Sequence, residues 1–97
     1  MVLNKNAMQS THGGPGSLLD QAKKYLYEHN ENDFLHVVHR IDRSASGAVV
    51  FAKNATAAKH MSKAFATTGA VRKKYVAILQ VRSELALQCS VWLCYAM

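Results

Sequence analysis

Six consecutive apolar or small residues, Gly47-Ala48-Val49-Val50-Phe51-Ala52, constrain the fold of this chain more than any other stretch. The run is unbroken by polar residues and closes on Lys53-Asn54, the pattern of a buried strand. Asn54 is a residue type that caps helices, and a second helix is expected behind it. In that helix Ala58, Met61 and Phe65 form the apolar stripe, Lys59 and Lys63 stand off it, and Gly69 is the expected C-cap. A further strand is expected over Val71 to Leu79, with Val71, Lys73, Tyr75, Ala77 and Leu79 on one face.

Upstream, Val2 to Asn4 reads as the end of a short strand. His12-Gly13-Gly14-Pro15-Gly16 then reads as a loop, since neither helix nor strand accommodates that run. Ser17 is an N-cap candidate with Asp20 three residues on, as in a capping box. Leu18, Leu19, Ala22, Tyr25 and Leu26 share one helical face, which predicts a helix over about Ser17 to Glu28. The polar run His29-Asn30-Glu31-Asn32-Asp33 ends it, and Phe34 to Val38 leads into a loop of charged and small residues. Strands and helices alternate without the Gly-rich fingerprint of a dinucleotide fold, so the expected class is α+β. The chain has 97 residues, 49% hydrophobic and 19% charged, which fits one small domain or part of one and excludes a disordered polar tail.

Charge is distributed unevenly. The net charge is +6 over the chain, yet residues 1–39 sum to −1 and residues 75–97 cancel. Residues 40–74 hold eight cations against Asp42 alone, for +7. A basic block of this kind attracts polyanions and reads either as a nucleic-acid footprint or as a solvated face. Asp42 sits between Arg40 and Arg43, whose charges favour its ionised form. That carboxylate suits a nucleophile, a general base or a structural partner of the arginines. Tyr75, beside Arg72, Lys73 and Lys74, is either a core residue of its strand or a ring placed among cations to stack an unpaired base. The loop at His12 to Gly16 could cradle a phosphate, but no Gly-Lys-Ser/Thr follows it, and a plain strand-to-helix loop is the better account.

Other function classes receive little support. Cys89 and Cys94 are too few for a disulfide scaffold and have no histidine beside them for a zinc set. The stretch Leu85 to Met97 is too short to span a bilayer, and Met1-Val2-Leu3 runs straight into Asn4-Lys5-Asn6 without a signal-like pattern. The expectation is an intracellular protein with no membrane partner and no metal.

His39-Arg40-Ile41-Asp42-Arg43-Ser44-Ala45-Ser46-Gly47, followed by Ala48-Val49-Val50-Phe51-Ala52-Lys53, resembles the signature of the RluA-type RNA pseudouridine synthases. That family carries His-Arg-Leu-Asp, a polar link to Thr-Ser-Gly, and an apolar strand ending in Ala-Lys. Asn4-Lys5-Asn6-Ala7-Met8 resembles the family's opening Asn-Lys-Pro-x-Gly, with Asn6 in place of the proline and Met8 near the glycine. His12-Gly13-Gly14 falls where a histidine-glycine loop is common, and Lys73-Lys74-Tyr75-Val76-Ala77 is similar to its Lys-x-Tyr-x-Ala strand. Ile41 and Ala45 depart from the usual leucine and threonine, and Val81 stands near a usual glycine.

The resemblance covers residues 3–79 and implies the N-terminal part of a catalytic domain over residues 1–81, with a divergent tail over 82–97. It implies an α+β fold whose sheet is mixed and mainly antiparallel, flanked by helices. It further implies Asp42 as the catalytic nucleophile of uridine isomerisation in ribosomal or transfer RNA, with the target base flipped out of its stack. Arg40 would lie beside the flipped nucleotide and Tyr75 would pack on the uracil. Arg43, Lys53, Arg72, Lys73 and Lys74 would contact RNA phosphates. No cofactor is implied, and the expected state is a monomer in the cytoplasm, or in a mitochondrial or plastid matrix where a targeting segment lies upstream. The family's further arginine, from a Gly-Arg-Thr-His-Gln-like segment, has no counterpart here. The alternatives are an RNA-binding fragment without turnover and a basic interaction module with no RNA role.

Overall fold

The computed structural model describes residues 1–78 and contains, in chain order, β1 (Val2–Lys5), α1 (Leu18–Glu28), β2 (His36–Val37), β3 (Gly47–Ala52) and α2 (Ala55–Ala66). The apolar run becomes β3, the centre of a three-stranded sheet of order β1-β3-β2. Both neighbours pair with it antiparallel, Val2 opposite Val50 on one side and Val37 opposite Phe51 on the other. The architecture is α+β, as expected. Among the described residues no helix is long and apolar enough to cross a membrane.

Alternation along β3 creates two unlike faces. Val49 and Phe51 are fully buried and pack with Leu18, Ala22 and Leu26 of α1 and with Leu35. Each large apolar side chain removed from water there contributes roughly 1.5–3 kcal/mol. Ala48 and Val50 face the other way, toward Phe65 of α2 and residues 71–76, with which they line a cleft. The expected face of α1 holds for Leu18, Ala22 and Leu26, whereas Tyr25 stays half exposed and stacks on His29 one turn along.

Both helices begin at the expected caps. The Ser17 hydroxyl accepts from the Asp20 amide at 3.2 Å, and the Asp20 carboxylate accepts from the Gly16 amide at 3.0 Å. The Asn54 side-chain oxygen accepts from the Ala57 amide at 2.8 Å. At its far end α2 stops earlier than expected. Thr67 is the C-cap, its hydroxyl donating to the Lys63 carbonyl at 2.7 Å, and Gly69 lies in the turn beyond.

The strand expected over Val71 to Leu79 does not form over its described part, residues 71–78. A strand exists through ladder bonds to a neighbour, and no described strand lies beside this segment. Val76 and Ile78 are accordingly fully exposed. Leu79, Val81, the tail 82–97 and both cysteines lie outside the described residues.

Candidate RNA-modification site

The loop between β2 and β3 carries Arg40, Asp42 and Arg43, and it is pinned at both ends. At its start, His39 Nε2 accepts the Val50 amide of β3 at 2.9 Å. At its far end, the Arg43 carbonyl accepts the Met8 amide at 2.7 Å, and Arg43 Nε donates to the Met8 carbonyl at 3.0 Å. A turn closed by the Ala45 amide on the Asp42 carbonyl, at 3.0 Å, then returns the chain toward β3. Ile41 packs against the core cluster between these anchors. Backbone and neighbours thus fix a loop whose acid remains exposed.

Lys5 organises the same region from below. It is fully buried, and its ammonium donates to the carbonyls of Asn6 at 2.9 Å, Gln9 at 2.7 Å and Arg43 at 3.1 Å. A buried cation without a carboxylate partner is tolerated where several carbonyl dipoles replace its water. The turn after β1 and the Asp42 loop are therefore joined through one side chain. Met8, near the glycine of the pattern that the opening segment resembles, takes a left-handed φ of 65° in this turn.

Asp42 does not pair with its flanking arginines. The ion pairs among the described residues are Lys24–Glu28 and Lys53–Glu31, and the structural-partner account of Asp42 finds no support. Arg40 is exposed. Lys53 is engaged with Glu31 at 2.8 Å, and this contact holds the exposed Glu31 carboxyl below the usual carboxylate range.

A cleft of about 700 Å³ opens between this loop and residues 71–76. His39, Ile41 and Ser44 stand on one wall, and Phe65, Lys73 and Tyr75 are among its other lining residues. Asp42 lies on the loop between two lining residues without itself forming the wall. The cleft brings Tyr75, about half exposed, to the loop that bears the acid. Arg72 and Lys74 also line it, which gathers much of the basic block at one opening.

Phe65 meets both a ring and a cation. The His39 ring stacks on it with centroids 4.2 Å apart and planes 5° apart, and Lys73 Nζ lies 5.6 Å from its centroid. Burial lowers the His39 pKa from its ordinary value, and the nearby Lys73 charge adds to the effect.

The loop at His12 to Gly16 is a strand-to-helix connection. The first amides of α1 are already bonded, Leu18 to the Ser10 carbonyl, Leu19 to the Thr11 carbonyl and Asp20 to Ser17 Oγ. The Asp20 carboxylate, bound to the Gly16 amide, places negative charge where a phosphate would sit. Among the described residues no group of three or more His, Cys, Asp or Glu side chains could hold a metal ion.

The RNA pseudouridylate synthase family matches residues 1–93. This chain belongs to that family. Among curated relatives it is 35% identical over 91 residues to the ribosomal large subunit pseudouridine synthase C of Vibrio vulnificus, covering 94% of this chain and 28% of that protein. The enzyme of the same name from Vibrio cholerae is 33% identical over 79 residues, 81% of this chain and 25% of the relative. That from Escherichia coli K12 is 31% identical over 80 residues, 82% and 25%. The chain thus spans about a quarter of the length of the curated relatives it matches. No solved structure matches it.

Three site features carry no signal of their own in the sequence: the buried Lys5, the His39 cap and the Phe65 stack. Lys5 and His39 were visible only as letters of the family pattern. Phe65 read as one residue of an apolar stripe, and its partners come from segments distant in the chain.

Proposed function

We propose that this chain forms the part of an RNA pseudouridine synthase that carries the reacting carboxylate, acting on uridine in structured ribosomal or transfer RNA. The observation behind this reading is the cleft that joins the Asp42 loop to the cationic wall bearing Tyr75, in a chain of this family. A uridine flipped from its stack, at a cost of a few kcal/mol, enters the cleft with its uracil on Tyr75. Arg40 stands beside the flipped nucleotide. Arg72, Lys73, Lys74 and the terminal nitrogens of Arg43 contact phosphates, which position the RNA without reading its sequence. Lys53 reaches a phosphate by exchanging Glu31, and an exposed ion pair of that kind contributes only about 0–1 kcal/mol.

Asp42 acts as the nucleophile. Its carboxylate oxygen bonds to ribose C1′ as the bond to uracil N1 breaks, the uracil turns, and C5 then displaces the carboxylate from C1′. C5 loses a proton and N1 gains one, so atoms and electrons balance within the substrate and no redox partner is required. Because Asp42 is not locked in an ion pair with Arg40 or Arg43, its carboxylate is available to a substrate without first breaking one.

The second reading is RNA binding without turnover. The segment bearing Tyr75 has no ladder partner among the described residues, and loose geometry can lower a rate by about 100-fold. Single-turnover conversion of uridine in a bound stem-loop, followed by nucleoside analysis, separates the two. The enzymatic reading expects pseudouridine from the wild-type chain and none from Asp42→Ala, with RNA affinity largely kept. Equal yields from both would refute it, and binding without product would support the second reading.

A further inference from the structure

We infer that His39 is a positioning residue that sets the place of Asp42 by completing the β3 ladder with its imidazole. This inference rests on the catalytic role proposed for Asp42. The Phe51 amide donates to the Met1 carbonyl on the β1 side. Alternation of ladder groups therefore turns the Val50 amide toward the β2 side. There β2 ends at Val37, and no backbone carbonyl meets the Val50 amide. His39 Nε2 takes the vacant acceptor position at 2.9 Å. A backbone amide can only donate, so Nε2 offers its lone pair and the neutral ring carries its proton on Nδ1.

Stacking fixes what the hydrogen bond leaves free. The bond holds the ring within its plane, and the nearly parallel contact with Phe65 of α2 stops it tipping out. Lys73 covers Phe65 from residues 71–76. His39 thereby ties the loop to β3 directly and to α2 and the opposite cleft wall through Phe65. The charged group that acts on the ring, Lys73, is cationic and opposes a positive imidazole. Three residues on, Asp42 precedes the second anchor at Arg43. Arg40, Ile41 and Asp42 thus lie between two hydrogen-bonded anchors, and losing the first leaves the carboxylate placed by the Ile41 packing, the Asp42–Ala45 turn and the Arg43 anchor alone. Nothing in this arrangement requires His39 to touch substrate.

Two replacements separate its two contacts. His39→Phe keeps a ring to stack on Phe65 and removes the acceptor. His39→Gln offers a side-chain oxygen near the Nε2 position and removes the ring. In the full chain, single-turnover pseudouridine formation is expected to slow about 10–100-fold in His39→Phe while the RNA Kd changes less than about 2-fold. His39→Gln should restore most of the rate. Equal losses in both variants, or a wild-type rate in His39→Phe, would overturn the inference.

NMR makes the outcome independent of turnover. The wild-type chain should show the Nδ1-protonated tautomer of His39 and slow exchange of the Val50 amide. His39→Phe should speed that exchange and shift the Asp42 amide, and His39→Gln should reverse both changes. If the wild-type chain makes no product yet these signals behave so, the catalytic proposal fails and the positioning role stands. A wild-type ring protonated on Nε2 overturns the role even if His39→Phe does not fold.

Discussion

Replacing Lys5 with methionine keeps most of the apolar stem and deletes an ammonium that no water reaches. Three carbonyls lose a donor, at 2.7, 2.9 and 3.1 Å. Hydrogen bonds to charged groups contribute about 1.5–3 kcal/mol each, but the ammonium's desolvation opposes much of that sum. The Arg43 carbonyl keeps its bond from the Met8 amide, and the exposed turn at Asn6 lets water return. A net loss of about 2–4 kcal/mol follows, against a total of about 5–15 kcal/mol for a chain of this size. Urea unfolding of the full chain, followed by far-UV circular dichroism, should show the midpoint falling by roughly 1–2 M. Lys5→Arg should not rescue it, because a planar fork cannot converge on three carbonyls as a compact ammonium does. A shift below about 0.3 M would refute the claim that this cation joins the first turn to the Asp42 loop.

Met8→Gly should stabilise the chain by up to about 1 kcal/mol, because Met8 holds a left-handed φ of 65° with its side chain largely exposed; a lower urea midpoint would contradict this. Burial and Lys73 lower the folded-state His39 pKa below its unfolded value of 6.5. Its contribution to stability is therefore complete above pH 6.5 and declines as pH falls from there toward the lowered value. Urea midpoints at about pH 7.5 and 5.5 should reveal that decline, and His39→Gln should remove it. Lys73→Ala should weaken RNA binding and reduce the slope of log affinity against log salt by roughly 0.7–0.9; an unchanged slope removes this lysine from the phosphate contacts.

Local signals in this sequence are legible where local physics decides. The Gly47–Ala52 run forms a central strand because Val49, Phe51 and Ala52 are satisfied by burial, while Ala48 stays exposed and Val50 half-buried on the cleft side, so the run is not buried on both faces. Ser17 and Asn54 start their helices because each carries a side-chain oxygen within reach of an unpaired amide. The alternating pattern of Val71 to Leu79 expresses a strand tendency, yet pairing needs a neighbour that lies elsewhere in the chain. Tyr25 shows the same limit, since its place on the apolar face of α1 did not ensure a surface to cover it. At the site, Asp42 and Tyr75 stood out by charge and by resemblance. Lys5 and His39 did not, because their meaning lies in carbonyls and amides contributed by distant residues. A lysine is ordinarily a surface letter, and only the three carbonyls gathered by folding make Lys5 an interior one.

In the function proposed for this chain, Asp42 performs uridine isomerisation from a loop pinned at both ends. Its most direct test is release of tritium from a structured RNA labelled at uridine C5, since forming the C5–C1′ bond expels the hydrogen from that carbon. The full wild-type chain should release the label in step with pseudouridine formation, while Asp42→Asn binds the RNA and releases none. Release by Asp42→Asn at the wild-type rate would contradict it.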